Sequence, residues 1–177
     1  VVCGVSGGVD STVLAVLLKE AGVNTRAIFV DHGLMRMDEG DEVRNNFHRM
    51  GVDIETVECS ELFLGQLADV SDPEEKRKII GNLFIDVFWD TVGDAEMLAQ
   101  GTLYPDVIES ASNAKSKASK IKTHHNRVPR ILELQKQGKV LEPLAELFKD
   151  EVRELGASLG IPHDILHRHP FPGPGLA

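Results

Sequence analysis

Cysteine is nearly absent from this 177-residue chain, which has only Cys3 and Cys59. They lie far apart, each in an expected strand and without Cys-x-x-Cys spacing, so they argue for buried free thiols rather than a disulfide or thiolate metal site. No apolar run approaches the ~20 residues that span a bilayer, and the first residues lack the charged start of a signal peptide. Both absences point to a cytoplasmic protein with no membrane partner. Basic residues are also in deficit. Nineteen Lys and Arg face 28 Asp and Glu, a formal net charge of -9, which argues against a general nucleic-acid binder. No internal repeat is present, and 42% hydrophobic content over this length supports a single core.

One local absence says more. The string Ser6-Gly7-Gly8-Val9-Asp10-Ser11 follows the apolar run Val1-Val2-Cys3-Gly4-Val5 and opens an apolar-periodic helix, so it reads as strand, tight turn and helix start. The turn lacks the lysine of the kinase-type phosphate loop, since none occurs before Lys19, and it lacks the third glycine of the dinucleotide fingerprint. Adjacent glycines still let the backbone approach a ligand, and the first helical amides point outward unpaired. Such a turn receives a phosphate chain. The hydroxyls of Ser6, Ser11 and Thr12 suit phosphate oxygens, and Asp10 offers one carboxylate to Mg²⁺. Taken alone, the string also serves an ordinary βα connection.

Downstream, strands alternate with helices, which implies an α/β fold with a doubly wound parallel sheet. The second strand, 25–30, runs into Asp31-His32-Gly33 at the carboxyl edge of the sheet, where the base or ribose of ATP would rest; Asp31 and His32 equally suit a cap or a turn. A helix is expected over 38–50, a strand over 53–59, and a short helix from Ser60 with Leu62, Phe63 and Leu67 inward. Ser71-Asp72-Pro73-Glu74-Glu75 marks a helix start, and that helix runs to about Thr91 with Lys76, Arg77 and Lys78 as a solvated charge run. A strand over 97–100 delivers Gly101 to Asp106, where Pro105 ends it. Asp106 and Glu109 then reach a metal or a nucleotide hydroxyl, or simply cap a turn. A helix over 128–137, a strand at 140–141 and a helix over 144–159 complete the pattern.

Acidic residues are missing altogether between Ser110 and Leu132, a span with six Lys and Arg. The rest of the chain, with thirteen basic against 28 acidic residues, therefore carries -15. Residues 111–127 have almost no apolar anchor except Ile121, so mobility in the absence of ligand is expected. A basic segment of this kind can close over bound ATP and exclude water, with Lys122, His124 and His125 at its end. A solvated linker has the same composition.

The string Ser6 to Ser11 resembles the PP-loop of ATP pyrophosphatases, which cleave ATP between its α and β phosphates. Together with Val30-Asp31-His32-Gly33, Lys76 to Gly81, Gln100 to Asp106, Ile121 to Asn126 and His169 to Gly175, it resembles the GMP synthase (glutamine-hydrolysing) family over essentially the whole chain. The resemblance implies an adenine nucleotide alpha-hydrolase-like fold and a C–N ligase: ATP adenylates xanthosine monophosphate (XMP), and ammonia displaces AMP to give GMP. It assigns Ser6, Gly7, Gly8, Val9, Asp10, Ser11, Thr12 and Val30 to ATP, Asp10 to Mg²⁺, and Arg77 to XMP. Asp106 and Glu109 would support adenylation, with Lys122, His124 and His125 on a lid. Residues 1–165 would form the ATP pyrophosphatase domain and 166–177 a linker toward a C-terminal dimerisation domain. A glutamine amidotransferase domain or subunit would supply ammonia. After the His-His-Asn stretch, many bacterial members have a glycine-rich run; Arg127-Val128-Pro129-Arg130 departs from it and looks closer to the animal form.

Two rival readings share the opening turn. Another PP-loop enzyme is one, NAD synthetase or a tRNA thiolase, although thiolation wants paired reactive cysteines and a larger basic surface. The other is a module that binds ATP without turning it over.

Overall fold

A computed structural model of the chain describes residues 1–94, 97–108 and 133–169. Five parallel strands form one sheet in the order β3-β2-β1-β4-β5: β1 Val2–Val5, β2 Arg26–Asp31, β3 Ile54–Glu58, β4 Leu98–Ala99 and β5 Val140–Leu141. The order reverses between β1 and β4. In an open α/β sheet, the crevice at that reversal is where ligands bind.

The strands are apolar on both faces, and alternation sorts their side chains into two cores. Cys3, Val5, Ala27, Phe29 and Ala99 face one side, with α1 (Val9–Glu20) and α2 (Glu39–Arg49) packed on it. Val2, Ile28, Val30 and Leu98 face the other, against α3 (Ser60–Leu67) and α4 (Pro73–Val92). Burial on both faces is what parallel strands need. Gly4 makes room for α4, since a Cβ there would stand 3.3 Å from the Phe88 ring. Both cysteines are free thiols, Cys3 buried and Cys59 half-buried. Burial pushes the Cys3 thiol up to about 11, so it is inert packing.

Helix starts follow local chemistry where the sequence marks them. The Asp72 carboxylate accepts the Glu75 N–H at 2.8 Å, and Pro73 opens α4. Two expectations shift, at Leu62 and at the last long helix. Phe63 is fully buried, but Leu62 is 44% exposed on the solvent side of α3. Residues 104–108 form one helical turn. The last long helix, α5 (Lys149–Ser158), starts at Lys149 rather than at 144. Its delay has a cause: the Leu147 carbonyl accepts the Tyr104 N–H at 3.0 Å, while Leu147 and Ala145 close turns onto Leu144 and Glu142. The Phe148 N–H then goes to the Glu151 carboxylate at 2.7 Å, half of a capping box.

A short α6 (His163–Leu166) returns the chain to the first core, where Ile165 and Leu166 are buried. Leu166 packs over Gly156, whose Cβ position lies 2.5 Å from a Leu166 methyl. Residues up to His169 therefore stay on the body of the fold. Among the described residues, no helix is long and apolar enough to cross a membrane.

Candidate functional site

The β1–α1 turn holds its own shape. Gly7 takes φ +73°, and a Cβ there would stand 2.4 Å from Val43 Cγ2, so glycine is required both by conformation and by space. Ser6 Oγ accepts the Gly8 N–H at 3.3 Å and lies 3.3 Å from Ser11 Oγ, which in turn donates to the Gly8 carbonyl at 3.1 Å. The Ser6 N–H donates to Ser11 Oγ at 3.2 Å, closing the ring of contacts. Thr12 Oγ1 donates to the same Gly8 carbonyl at 2.8 Å and is buried.

The turn borders a cleft of about 670 Å³ at the sheet reversal, a size typical of small-molecule sites. Val5, Phe29 and Val30 line it from the strands, and Ile80, Phe84 and Ile85 from α4. Around this apolar slot stand four cations, Arg77, Lys149, Arg153 and Arg168, against two carboxylates, Asp10 and Glu39. A chain of net charge -9 thus lines this cleft with four cations to two carboxylates, each cation held by a carboxylate in the cleft or at its rim. Apolar side chains beside cations suit a ligand with a flat apolar part and an anionic part.

Lys149 Nζ lies 2.6 Å from both carboxylate oxygens of Asp10. The first turn of α5 faces the loop because that helix begins late. Opposite, Arg168 Nη2 reaches Glu39 Oε1 at 2.6 Å, while Glu39 Oε2 accepts the Arg36 N–H at 2.9 Å. Arg153 is tied to Asp150 at 2.7 Å and Arg77 to Glu74 at 3.0 Å.

Of the residues singled out in the sequence, the fold brings Ser6, Gly7, Gly8, Val9, Asp10, Val30 and Arg77 to this one cleft. Ser11 and Thr12 stand one step behind its wall, their hydroxyls engaged with Gly8. Asp106 lies elsewhere: its carboxylate accepts the Leu103 N–H at 2.9 Å and caps the 104–108 turn. Glu109, Lys122, His124 and His125 lie outside the described residues. Asp31 and His32 close the turn after β2, with Asp31 Oδ1 accepting the Gly33 N–H at 3.2 Å and His32 Nδ1 accepting the Leu34 N–H at 3.1 Å. His32 also touches the cleft. Burial lowers its pKa below the ordinary 6.5, against the opposing charges of Asp31 and Glu39.

Among the described residues, no three His, Cys, Asp or Glu side chains converge on a metal position. The loop offers Mg²⁺ one carboxylate, Asp10, currently on Lys149. That donor set fits an ion that takes most of its ligands from phosphate oxygens and water, as Mg²⁺ does, and does not fit a closed protein cage.

Lys149, Arg153, Arg168 and Glu39 were not legible as site residues. Lys149 sits 139 residues from Asp10, and Arg168 sits 129 from Glu39. Only the sheet order brings them together. No local signal marked them, since Lys149 and Arg153 stand beside Asp150 and Glu151 in an ordinary mixed-charge helix start.

Comparison with known proteins agrees with this geometry. A family model described as the tRNA methyl transferase HUP domain matches residues 1–69. GMP synthase [glutamine-hydrolyzing] of Thermosipho melanesiensis is 53% identical over 100% of this chain, and that of Marinomonas sp. is 57% identical over 99%. This chain belongs to the GMP synthase family. It spans 36% and 34% of the length of those two relatives. Among solved structures, NMN synthetase from Francisella tularensis superposes with TM-score 0.64 at 18% identity, covering 98% of this chain and 67% of that one. A U34-tRNA thiolase from Methanococcus maripaludis gives 0.60 at 24%, covering 97% and 58%. These two show that the parallel α/β fold is shared, and the sequence relatives single out one family within it.

Proposed function

We propose that this chain is the ATP pyrophosphatase part of a GMP synthase and that the cleft adenylates XMP. The 2-carbonyl oxygen of XMP attacks the α-phosphorus of ATP; the O–Pα bond forms, the Pα–O–Pβ bond breaks, and pyrophosphate leaves. Ammonia then adds at C2, the C2–O bond breaks, AMP departs, and a proton is lost to solvent to give GMP. The observation that carries this reading is the cationic cleft on a PP-loop at the sheet reversal of an acidic chain.

Each residue's part follows from its place. The outward amides of the glycine turn and the positive end of α1 bind phosphate. Val5, Phe29 and Val30 hold the adenine. Lys149 and Arg153 face the charge that grows on the leaving pyrophosphate, in a site where fixed donors need no reorganisation. Mg²⁺, carried with ATP, would neutralise phosphate charge, and Asp10 would hold it once Lys149 turns from that carboxylate to the phosphates. Arg77, on the α4 wall, would meet XMP. Lys122, His124 and His125 would close over the reactants, and Asp106 and Glu109 would support adenylation. Ammonia would come from a glutamine amidotransferase domain or subunit, and a C-terminal dimerisation domain would follow residues 166–177.

The deciding experiment measures AMP release from ATP by the intact protein, with ammonia, in the presence and absence of XMP. XMP-dependent release with GMP formed is the expected result. Release that responds to a deamido-dinucleotide instead supports an NAD synthetase-like enzyme, and ATP binding with no release supports a non-catalytic module.

A further inference from the structure

Arg168 is held at the PP-loop by an unusual arrangement. Its side chain is 19% exposed, and Nη2 pairs with Glu39 Oε1 at 2.6 Å and lies 3.5 Å from Glu42 Oε2. Glu39 is itself buried, at 5%. The pairing with Glu39 is single rather than forked, because the second oxygen of Glu39 is committed to the Arg36 N–H. A guanidinium presents five donors in a plane and matches carboxylate or phosphate best through two. Its other terminal nitrogen, Nη1, lies 3.3 Å from the position a Cβ would take on Gly7. That places it directly over the glycine turn, in the cleft and away from Glu39.

With Nη2 on the carboxylates and Nη1 over the anion-binding loop, the guanidinium can take a further anion at the loop without giving up Glu39. We propose that Arg168 binds the pyrophosphate end of the nucleotide, the β- and γ-phosphates, and that Glu39 holds it in place over the loop until they arrive. This rests on the reading of the cleft as an ATP site. Phosphate oxygens on the loop amides lie within reach of Nη1, so Arg168 gains a forked or bridging contact without leaving its place. On this proposal the α-phosphate and adenosine make no contact with it. Glu39 then has two opposed effects: it orients the guanidinium, and its charge repels the phosphates.

The test titrates inorganic pyrophosphate, ATP and AMP into the intact protein and into three variants. Arg168→Ala is expected to lose at least tenfold in affinity for pyrophosphate and ATP while AMP binding changes less than twofold. Arg168→Lys, which keeps the charge without the fork, is expected to recover part of the loss. Glu39→Gln retains an oxygen for the Arg36 N–H and removes the repelling charge, so pyrophosphate should bind more tightly. A purely structural clasp between α2 and the segment after α6 predicts something else: Arg168→Ala and Glu39→Gln would weaken all three ligands alike. That result, or unchanged pyrophosphate affinity in Arg168→Ala beside normal XMP-dependent turnover in the wild type, overturns the proposal and leaves the synthase reading intact. Wild-type protein that binds pyrophosphate through Arg168 yet releases no AMP with XMP overturns the synthase reading and supports the Arg168 site.

Discussion

The two walls of the cleft are built in opposite ways. The loop wall, Ser6 to Asp10, is set by contacts no more than five residues apart, with Gly7 in the left-handed region and the Ser6 and Ser11 hydroxyls bridging the turn. The far wall, Lys149, Arg153 and Arg168, arrives on α5 and the segment after α6; it meets the loop through Lys149 and Asp10, 139 residues apart in sequence, and the start of α2 through Arg168 and Glu39, 129 apart. Sheet pairing shows the same contrast. β2 and β3 align from Ala27 to Asp31, whereas β4 pairs in register with each neighbour at two positions, Leu98 and Ala99. A wall built locally keeps its shape by itself; a wall built at long range can move when its ion pairs are exchanged for ligand.

The sharpest way to break the loop wall is Gly7→Ala. The strained φ costs about 1–3 kcal/mol of stability, and displacing Val43 distorts the amides, so ATP affinity should fall about a hundredfold. Calorimetric titration and thermal unfolding read both. Adding Val43→Ala should restore the part due to collision and leave the part due to φ; full recovery would show that the conformation carries no strain.

Across the cleft, Asp10→Asn should cut XMP-dependent pyrophosphate release by about 10² or more while ATP still binds. Unfolding should change by no more than about 1 kcal/mol, because both partners of the Asp10–Lys149 pair are a third or more exposed (33% and 42%). Substantial Mg²⁺-dependent turnover would remove Asp10 from the metal.

Lys149→Ala sharpens the contrast from the other side. If the far wall supplies charge only when pyrophosphate leaves, kcat should drop about tenfold with ATP affinity nearly unchanged. A change confined to KM would place Lys149 in ground-state binding.

The smallest effect is a pH dependence at His32. Its ring accepts the Leu34 N–H, and burial depresses its pKa below 6.5, so the unfolded chain binds the proton more readily than the folded one. Its contribution to stability is therefore full above 6.5 and is lost as pH falls through 6.5 toward the folded value. Denaturant unfolding at roughly pH 8 and roughly pH 5.5 should show this loss in wild type and a flatter profile in His32→Gln. Identical profiles would remove His32 as its source.

Elements with a strong local signal were legible. Val2–Val5, Arg26–Asp31 and Pro73–Val92 fall where apolar runs and the Asp72-Pro73 cap put them. The helix expected from 144 shows the limit. Nothing near Leu144 forbids a helix; the Leu147 carbonyl is taken by Tyr104, 43 residues earlier in the chain, and that contact moves the helix start to Lys149. For Asp106 the sequence left a ligand role and a turn cap open, and in the fold its carboxylate accepts the Leu103 N–H.

By itself the sequence determined the parallel α/β alternation, the phosphate-type turn and the family, because strand content, turn geometry and motif strings are written within a few residues of one another. Only the tertiary structure decided which cations face that turn. Lys149 and Arg168 look like any other exposed base in a chain with 19 of them, and it is the reversal of strand order between β1 and β4, with burial on both sheet faces, that carries them to Asp10 and Glu39.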